Sequence, residues 1–288
     1  MALLPRAVLS SVAEPLTAAI QTGSTVKGFQ NFAYALDGLG ASLRGKEAVE
    51  RKMYYAQLAN VLGVIDLPQT GEQVANRLSG TIQEDAKNTM RLSTFFLRTG
   101  LTGITIAQRK ASMRVGLQFI IEQSAQYNNP DISESLREEA RQTLRDFGIG
   151  NNLISQFTDF AQNLDKTDSG LYEIDQIMDV DGSLTDMGDV LAVAVNRFVD
   201  QTIQDPKIID RPKWAETPMG RIVFGIQSFV AAFQRNVLEM SIKRAARDFK
   251  TQGYLGGGFR LIRKTLLPLF SLYAAHTLVS AAREFVFN

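Results

Sequence analysis

The sequence predicts an all-α chain. Apolar residues recur at the 3.6-residue spacing of helices, the period-two alternation of strands is almost absent, and the apolar runs stop at glycine or proline. At 288 residues, with 45% hydrophobic and 21% charged side chains, the chain is long and apolar enough to bury a core. The expected architecture is a multi-helix bundle of about ten helices, ending in an apolar helical hairpin.

Taken in order, residues 5–21 read as a short helix containing Pro15, and Gly23 with Ser24 opens a turn. Phe29, Phe32, Ala33, Leu36, Leu39 and Leu43 follow the spacing of one apolar helical face. A helix over 47–62 ends near Gly63, before Leu67-Pro68. Residues 71–79 form a short helix, and 82–98 run into Gly100 and Gly103.

The strongest helix is predicted over 105–127, with Met113, Leu117, Ile120 and Ile121 at core spacing. It stops at Asn128-Asn129-Pro130, because the residue before proline is pushed out of helical geometry. Ser133 is the expected N-cap of a helix over 134–146, where Glu134 and Glu138 favour the positive end. Gly148 and Gly150 end it, a short helix follows over 151–164, and an acidic loop leads to Thr185, the expected cap of a helix over 186–204.

Three units are expected: a helical bundle over 1–204, a proline-rich connector over 205–221, and a C-terminal hairpin over 222–288. Pro206, Pro212 and Pro218 stiffen the connector, since each fixes its φ and bars helix at the residue before it. The hairpin's two helices are separated by Gly253 and Gly256-Gly257-Gly258. Residues 1–21 are only mildly apolar, and Pro5, Glu14 and Pro15 interrupt them, unlike a secretory signal.

The net charge is +1, so the whole chain is not built as a nucleic-acid magnet. The distribution is uneven. Residues 131–204 carry 5 basic and 15 acidic side chains, whereas 205–288 carry 13 and 6. Either the two regions touch, or an acidic solvent face lies beside a basic end that seeks a partner; neighbouring segments of one fold explain it equally well.

Little in the chain points to catalysis, and no enzyme, metal or cofactor is expected. The sequence contains no cysteine and one histidine, His276, which excludes thiol chemistry, histidine dyads and multi-histidine zinc sites. The acidic loop places Asp179 and Asp181 before Gly182 as a calcium loop would. Its first and twelfth positions are Ile177 and Gly188, so both anchoring ligands fail. A turn and a capped helix are expected there instead. Gly256-Gly257-Gly258 follows a helix and not a strand, and no Gly-Lys-Ser/Thr follows it, so it reads as a turn and not a phosphate loop. Glu138-Glu139, among Arg137 and Arg141, reads as a solvated helical face.

Two features stand out. In the connector, Arg211-Pro212-Lys213-Trp214 leads through Pro218 to Arg221, and the only tryptophan is held between prolines as a packing anchor. Phe229 and Phe233 continue it on an apolar stripe. The tail then has an uncharged run over 265–282, flanked by Arg260, Arg263 and Lys264, which are candidates for membrane or phosphate contact. Burial within a bundle explains the same run.

Four blocks carry a resemblance. They are Leu4-Pro5-Arg6 through Glu14-Pro15 to Thr22-Gly23; Phe96 through Gly100-Leu101-Thr102 to Gln108-Arg109; Asp181-Gly182-Ser183-Leu184-Thr185 through Arg197-Phe198-Val199-Asp200; and Arg211-Pro212, Trp214, Pro218, Gly220-Arg221, Gln227-Ser228-Phe229, Ala232-Phe233 and Asn236-Val237-Leu238. In that order they resemble the C-terminal helical region of large internal virion (ejection) proteins of tailed phages, with related regions in polyvalent proteins of mobile elements.

The resemblance implies a protein carried in the capsid and expelled with the genome, forming or anchoring a conduit through the host envelope. The implied partners are other copies of the chain, portal or ejection proteins, host membrane and non-specifically contacted DNA. Relatives that carry murein-cleaving or RNA-polymerase domains have no counterpart in these residues. With the apolar end Phe285-Val286-Phe287-Asn288, the resemblance carries the expectation of a piece of a longer polypeptide. A generic helical scaffold or adaptor is the competing expectation.

Overall fold

A computed structural model describes residues 14–40, 46–65, 101–166 and 171–203, together with scattered residues between 242 and 281. Among the described residues the fold is mostly helical, without a named strand. Seven α-helices have described bounds: α1 (Ala18–Thr22), α2 (Thr25–Gly40), α3 (Lys46–Val61), α4 (Leu101–Asn128), α5 (Glu134–Asp146), α6 (Ile154–Gln162) and α7 (Asp186–Thr202). A 3-10 turn over Glu14–Thr17 leads into α1, and a π-helical turn covers Ile262–Leu266. The expected helices over 71–79 and 82–98 and the connector over 205–221 lie outside the described residues.

Helix α4 is the axis. Its 28 residues span about 42 Å, and α2, α3, α5, α6 and α7 all pack on it. A helix so enclosed has no solvent stripe, and α4 is buried nearly all round between residues 107 and 120. Met113, Leu117 and Ile120 are core residues as their spacing predicts, and Ile121 is half-buried against them. The helix starts four residues earlier than expected and runs through Gly103, because one glycine costs less than the packing along the rest of the helix returns. It ends at Asn128, ahead of Pro130.

An aromatic cluster joins α4, the end of α5, and α7. Phe119, Phe147 and Phe198 meet with ring centroids 5.6–6.2 Å apart, and each such pair adds about 0.5–1.5 kcal/mol beyond its buried area. Gly116 permits this: a Cβ there would lie 2.6 Å from the Phe198 ring. The approach of α7 to α4 therefore requires a residue without a side chain.

The caps differ in an instructive way. Thr185 caps α7 as expected, its Oγ1 accepting from the Gly188 amide at 3.0 Å. Ser133 occupies the N-cap position of α5 with extended backbone, but its hydroxyl meets the Ser135 hydroxyl at 3.1 Å and makes no cap bond. Gly23 closes α1 in the left-handed region, φ +64°, and the Ser24 amide donates to the Ala19 carbonyl at 3.0 Å.

One face departs from its prediction. In α2 the inward residues are Gly28, Asn31 and Ala35, whereas Phe29 and Leu36 are 56% and 48% exposed and Ala33 is exposed too. Phe32 is half-buried; the Leu39 side chain and Leu43 lie outside the described residues. The reason is tertiary. A Cβ on Gly28 would lie 2.6 Å from the Ala19 Cβ, and the Asn31 amide donates to the Ser112 hydroxyl at 3.1 Å. Close backbone approach and a buried polar bond set the register of α2, and its larger apolar groups are left outward.

Candidate functional sites: the docked tail and a basic cleft

The acidic loop after α6 is a structural turn. The Asp181 carboxylate accepts from the Ser183 amide at 2.9 Å and from its hydroxyl at 2.6 Å, which holds its pKa below the usual aspartate value. The Asp179 amide donates to the Ser183 carbonyl at 2.7 Å, and the chain then enters the Thr185 cap. Among the described residues no three His, Cys, Asp or Glu side chains gather as a metal site.

Among the described residues the tail meets the bundle at the start of the chain and at α5. The Ile262–Leu266 turn packs against α1, and Lys264 lies over the Gly23 turn, 3.2 Å from where a Cβ on that glycine would stand. Its ammonium pairs with Glu139 of α5. Glu139 is thus more than part of a solvated face: Arg141 takes Glu138 at 3.1 Å, and Glu139 receives the tail. The acidic middle and basic end of the chain touch here, one of the two arrangements their opposite charges suggested.

The inner side of the tail is Thr265 and Pro268, both buried. Its outer side is apolar: Phe259, Ile262, Leu266, Phe270 and Tyr273 are 67%, 58%, 49%, 69% and 71% exposed. Leu267 is 51% exposed beside them, and Ile262 and Leu266 are the two ends of the π-helical turn. Among the described residues no helix is long and apolar enough to cross a membrane. Arg211, Pro212, Trp214, Pro218, Arg221, Phe229, Phe233, Arg260 and His276 lie outside the described residues, as does the side chain of Arg263.

A second place escaped the sequence reading. Between α2, α3 and α4 is a cleft lined by Tyr34, Arg51, Lys52, Tyr55, Lys110 and Arg114, with Asp37 the single acidic residue among the described ones. The Arg114 guanidinium lies 3.6 Å from the centroid of the Tyr34 ring and 4.7 Å from that of Tyr55. Its Nε is buried and has no hydrogen-bond partner. Burial, and then the charge of Lys52, push the Lys110 ammonium below its ordinary pKa. Burial pushes the Tyr55 phenol up, against the pull of Arg114. No local motif announces this cleft: residues 51–52 and 110–114 are charges on separate helices until α3 and α4 pack.

Arg109, next to Lys110 on the same helix, is engaged internally. Its Nε donates to the Val64 carbonyl at 2.8 Å, and Asp200 of α7 lies 3.5 Å from its guanidinium. It is a structural cross-link between α4, the end of α3 and α7. No protein-family model, curated protein or solved structure matches the chain.

Proposed function

We propose that this chain is a non-enzymatic helical packing module, and that it serves as an internal virion protein of a tailed phage, expelled with the genome. In the host envelope it contributes to a conduit or an anchor. The observation that carries the packing role is the outward apolar stripe Phe259, Ile262, Leu266, Phe270 and Tyr273 on a tail whose other side is docked. An apolar stripe of this length is covered in a working assembly, since contiguous exposed apolar surface is rare on soluble monomers. The phage assignment rests on the four sequence blocks.

In this reading the bundle has about ten helices, and residues 222–288 form the apolar hairpin that follows the 205–221 connector. Other copies of the chain cover the stripe inside the particle, and host membrane meets it during ejection. Trp214 anchors the connector against its neighbours. Deletion of 253–288, followed by measurement of self-association and binding to anionic liposomes, tests the role of the tail. Both are expected to fall sharply; a truncated chain that assembles and binds as well as the intact one overturns it. Copy number in purified particles before and after genome release tests the virion assignment, which fails if the chain is absent from full particles.

A generic scaffold that binds other proteins is the alternative, favoured by the second outward stripe on α2, Val26, Phe29 and Leu36. It predicts assembly without liposome binding.

A further inference from the structure

We propose that the cleft between α2, α3 and α4 is a binding site for a phosphate monoester, held by Arg51, Lys52, Lys110 and Arg114. This site is independent of the tail and of the virion role. Among the described residues four cations and one carboxylate line it. Where such charges serve only the fold they are interleaved with partners, as Arg109 is with Asp200; like charges gathered on two facing helices repel and weaken the packing that brings them together. Asp37 offsets one of the four positive charges, and a dianion neutralises the excess better than a carboxylate does.

The geometry of Arg114 supports the same ligand. Its guanidinium plane is fixed between Tyr34 and Tyr55, so the donor is oriented before anything binds. The cavity volume is about 50 Å³, room for a few water molecules or one tetrahedral oxyanion. Both tyrosine faces already meet Arg114. The site therefore recognises the phosphate and leaves the group that carries it outside.

Titration calorimetry and thermal melts of the intact chain, with inorganic phosphate against chloride of equal ionic strength, test the site. Saturable binding with a Kd of about 1 mM or tighter is expected, with a melting temperature that rises with phosphate and not with chloride. Lys52 is exposed, so Lys52→Glu is tolerated by the fold. It should weaken phosphate binding at least about ten-fold while leaving the phosphate-free melting temperature equal or higher, because it relieves repulsion. Lys110→Gln should do the same. A nucleoside 5′-monophosphate and vesicles containing phosphatidic acid form two further arms; tighter binding of either than of inorganic phosphate supports the site and identifies the source of the phosphate. The proposal is overturned if phosphate binds no better than chloride, if neither substitution changes its binding, or if both lower the phosphate-free melting temperature, which makes the cations structural.

Discussion

The two sides of α4 are built on different principles. Toward α5 and α7 it presents Gly116, Leu117, Phe119 and Ile120, and the contact is close-packed and aromatic. Toward α2 and α3 the close contact of Gly38 with Ala107 and the Asn31–Ser112 bond give way to an open cleft, where Lys110 and Arg114 lie among tyrosine and charge. Close packing with Phe198 needs a glycine and tolerates no added atom. The cleft keeps space and uncompensated charge, which add nothing to stability. The lesson is that one helix can hold a fold together on one side and be spared for binding on the other.

Phe198→Ala should break the packed side, since Phe198 is fully buried among Phe119, Phe147 and Gly116. Truncating such a ring costs about 3–5 kcal/mol, to be read from the midpoint of a urea unfolding curve. A loss below 1 kcal/mol, order-of-magnitude as that threshold is, contradicts the packing described. Gly116→Ala attacks the same contact from the other helix. Its expected cost is about 1–3 kcal/mol through overpacking; a neutral result means that α7 can retreat from α4.

Capping offers an internal control on the same scale of measurement. Thr185→Ala removes the bond to the Gly188 amide and should cost about 1 kcal/mol. Ser133→Ala should cost only a few tenths, roughly, because its hydroxyl caps nothing. Equal losses in thermal melts would show that the occupied position, and not the hydrogen bond, is what matters.

The smallest effect is expected in the cleft, and its sign differs. Lys110→Met removes one cation from a like-charged group and should stabilise the chain by about 0.5 kcal/mol or less, given solvent screening. The gain should vanish in 1 M salt, where the screening length is about 3 Å. Its pH dependence follows from the lowered pKa of Lys110. The unfolded chain keeps that proton to higher pH than the folded chain, so the natural protein gains stability as pH rises through the folded value toward the unfolded one. The advantage of Lys110→Met should shrink over that window in melts of both proteins, with a constant difference speaking against a strained ammonium.

Much of the local structure was legible in the sequence because its causes are local. The bounds of α5 over 134–146 were read within the sequence, and so were the α4 stop before Pro130, the Gly23 and Gly63 turns and the Thr185 cap. Each depends on residues within one or two turns: a proline that cannot continue a helix, a glycine free to take positive φ, a hydroxyl within reach of an amide. Helical periodicity likewise accounts for the mostly helical character of the described residues.

Which face of a helix turns inward is decided elsewhere. In α2 the inward choice of Gly28, Asn31 and Ala35 over Phe29 and Leu36 follows from Ala19 and Ser112, the latter 81 residues from its partner Asn31. The tail docks because Glu139 and Lys264 meet across 125 residues. The cleft exists only where residues 34–37, 51–55 and 107–114 come together. Sequence by itself determined the helices, their ends and the opposed charges of the middle and the tail. Tertiary structure alone decided the faces and the meeting of four cations, because steric fit and Coulomb interaction act on distance in space, which sequence separation does not measure.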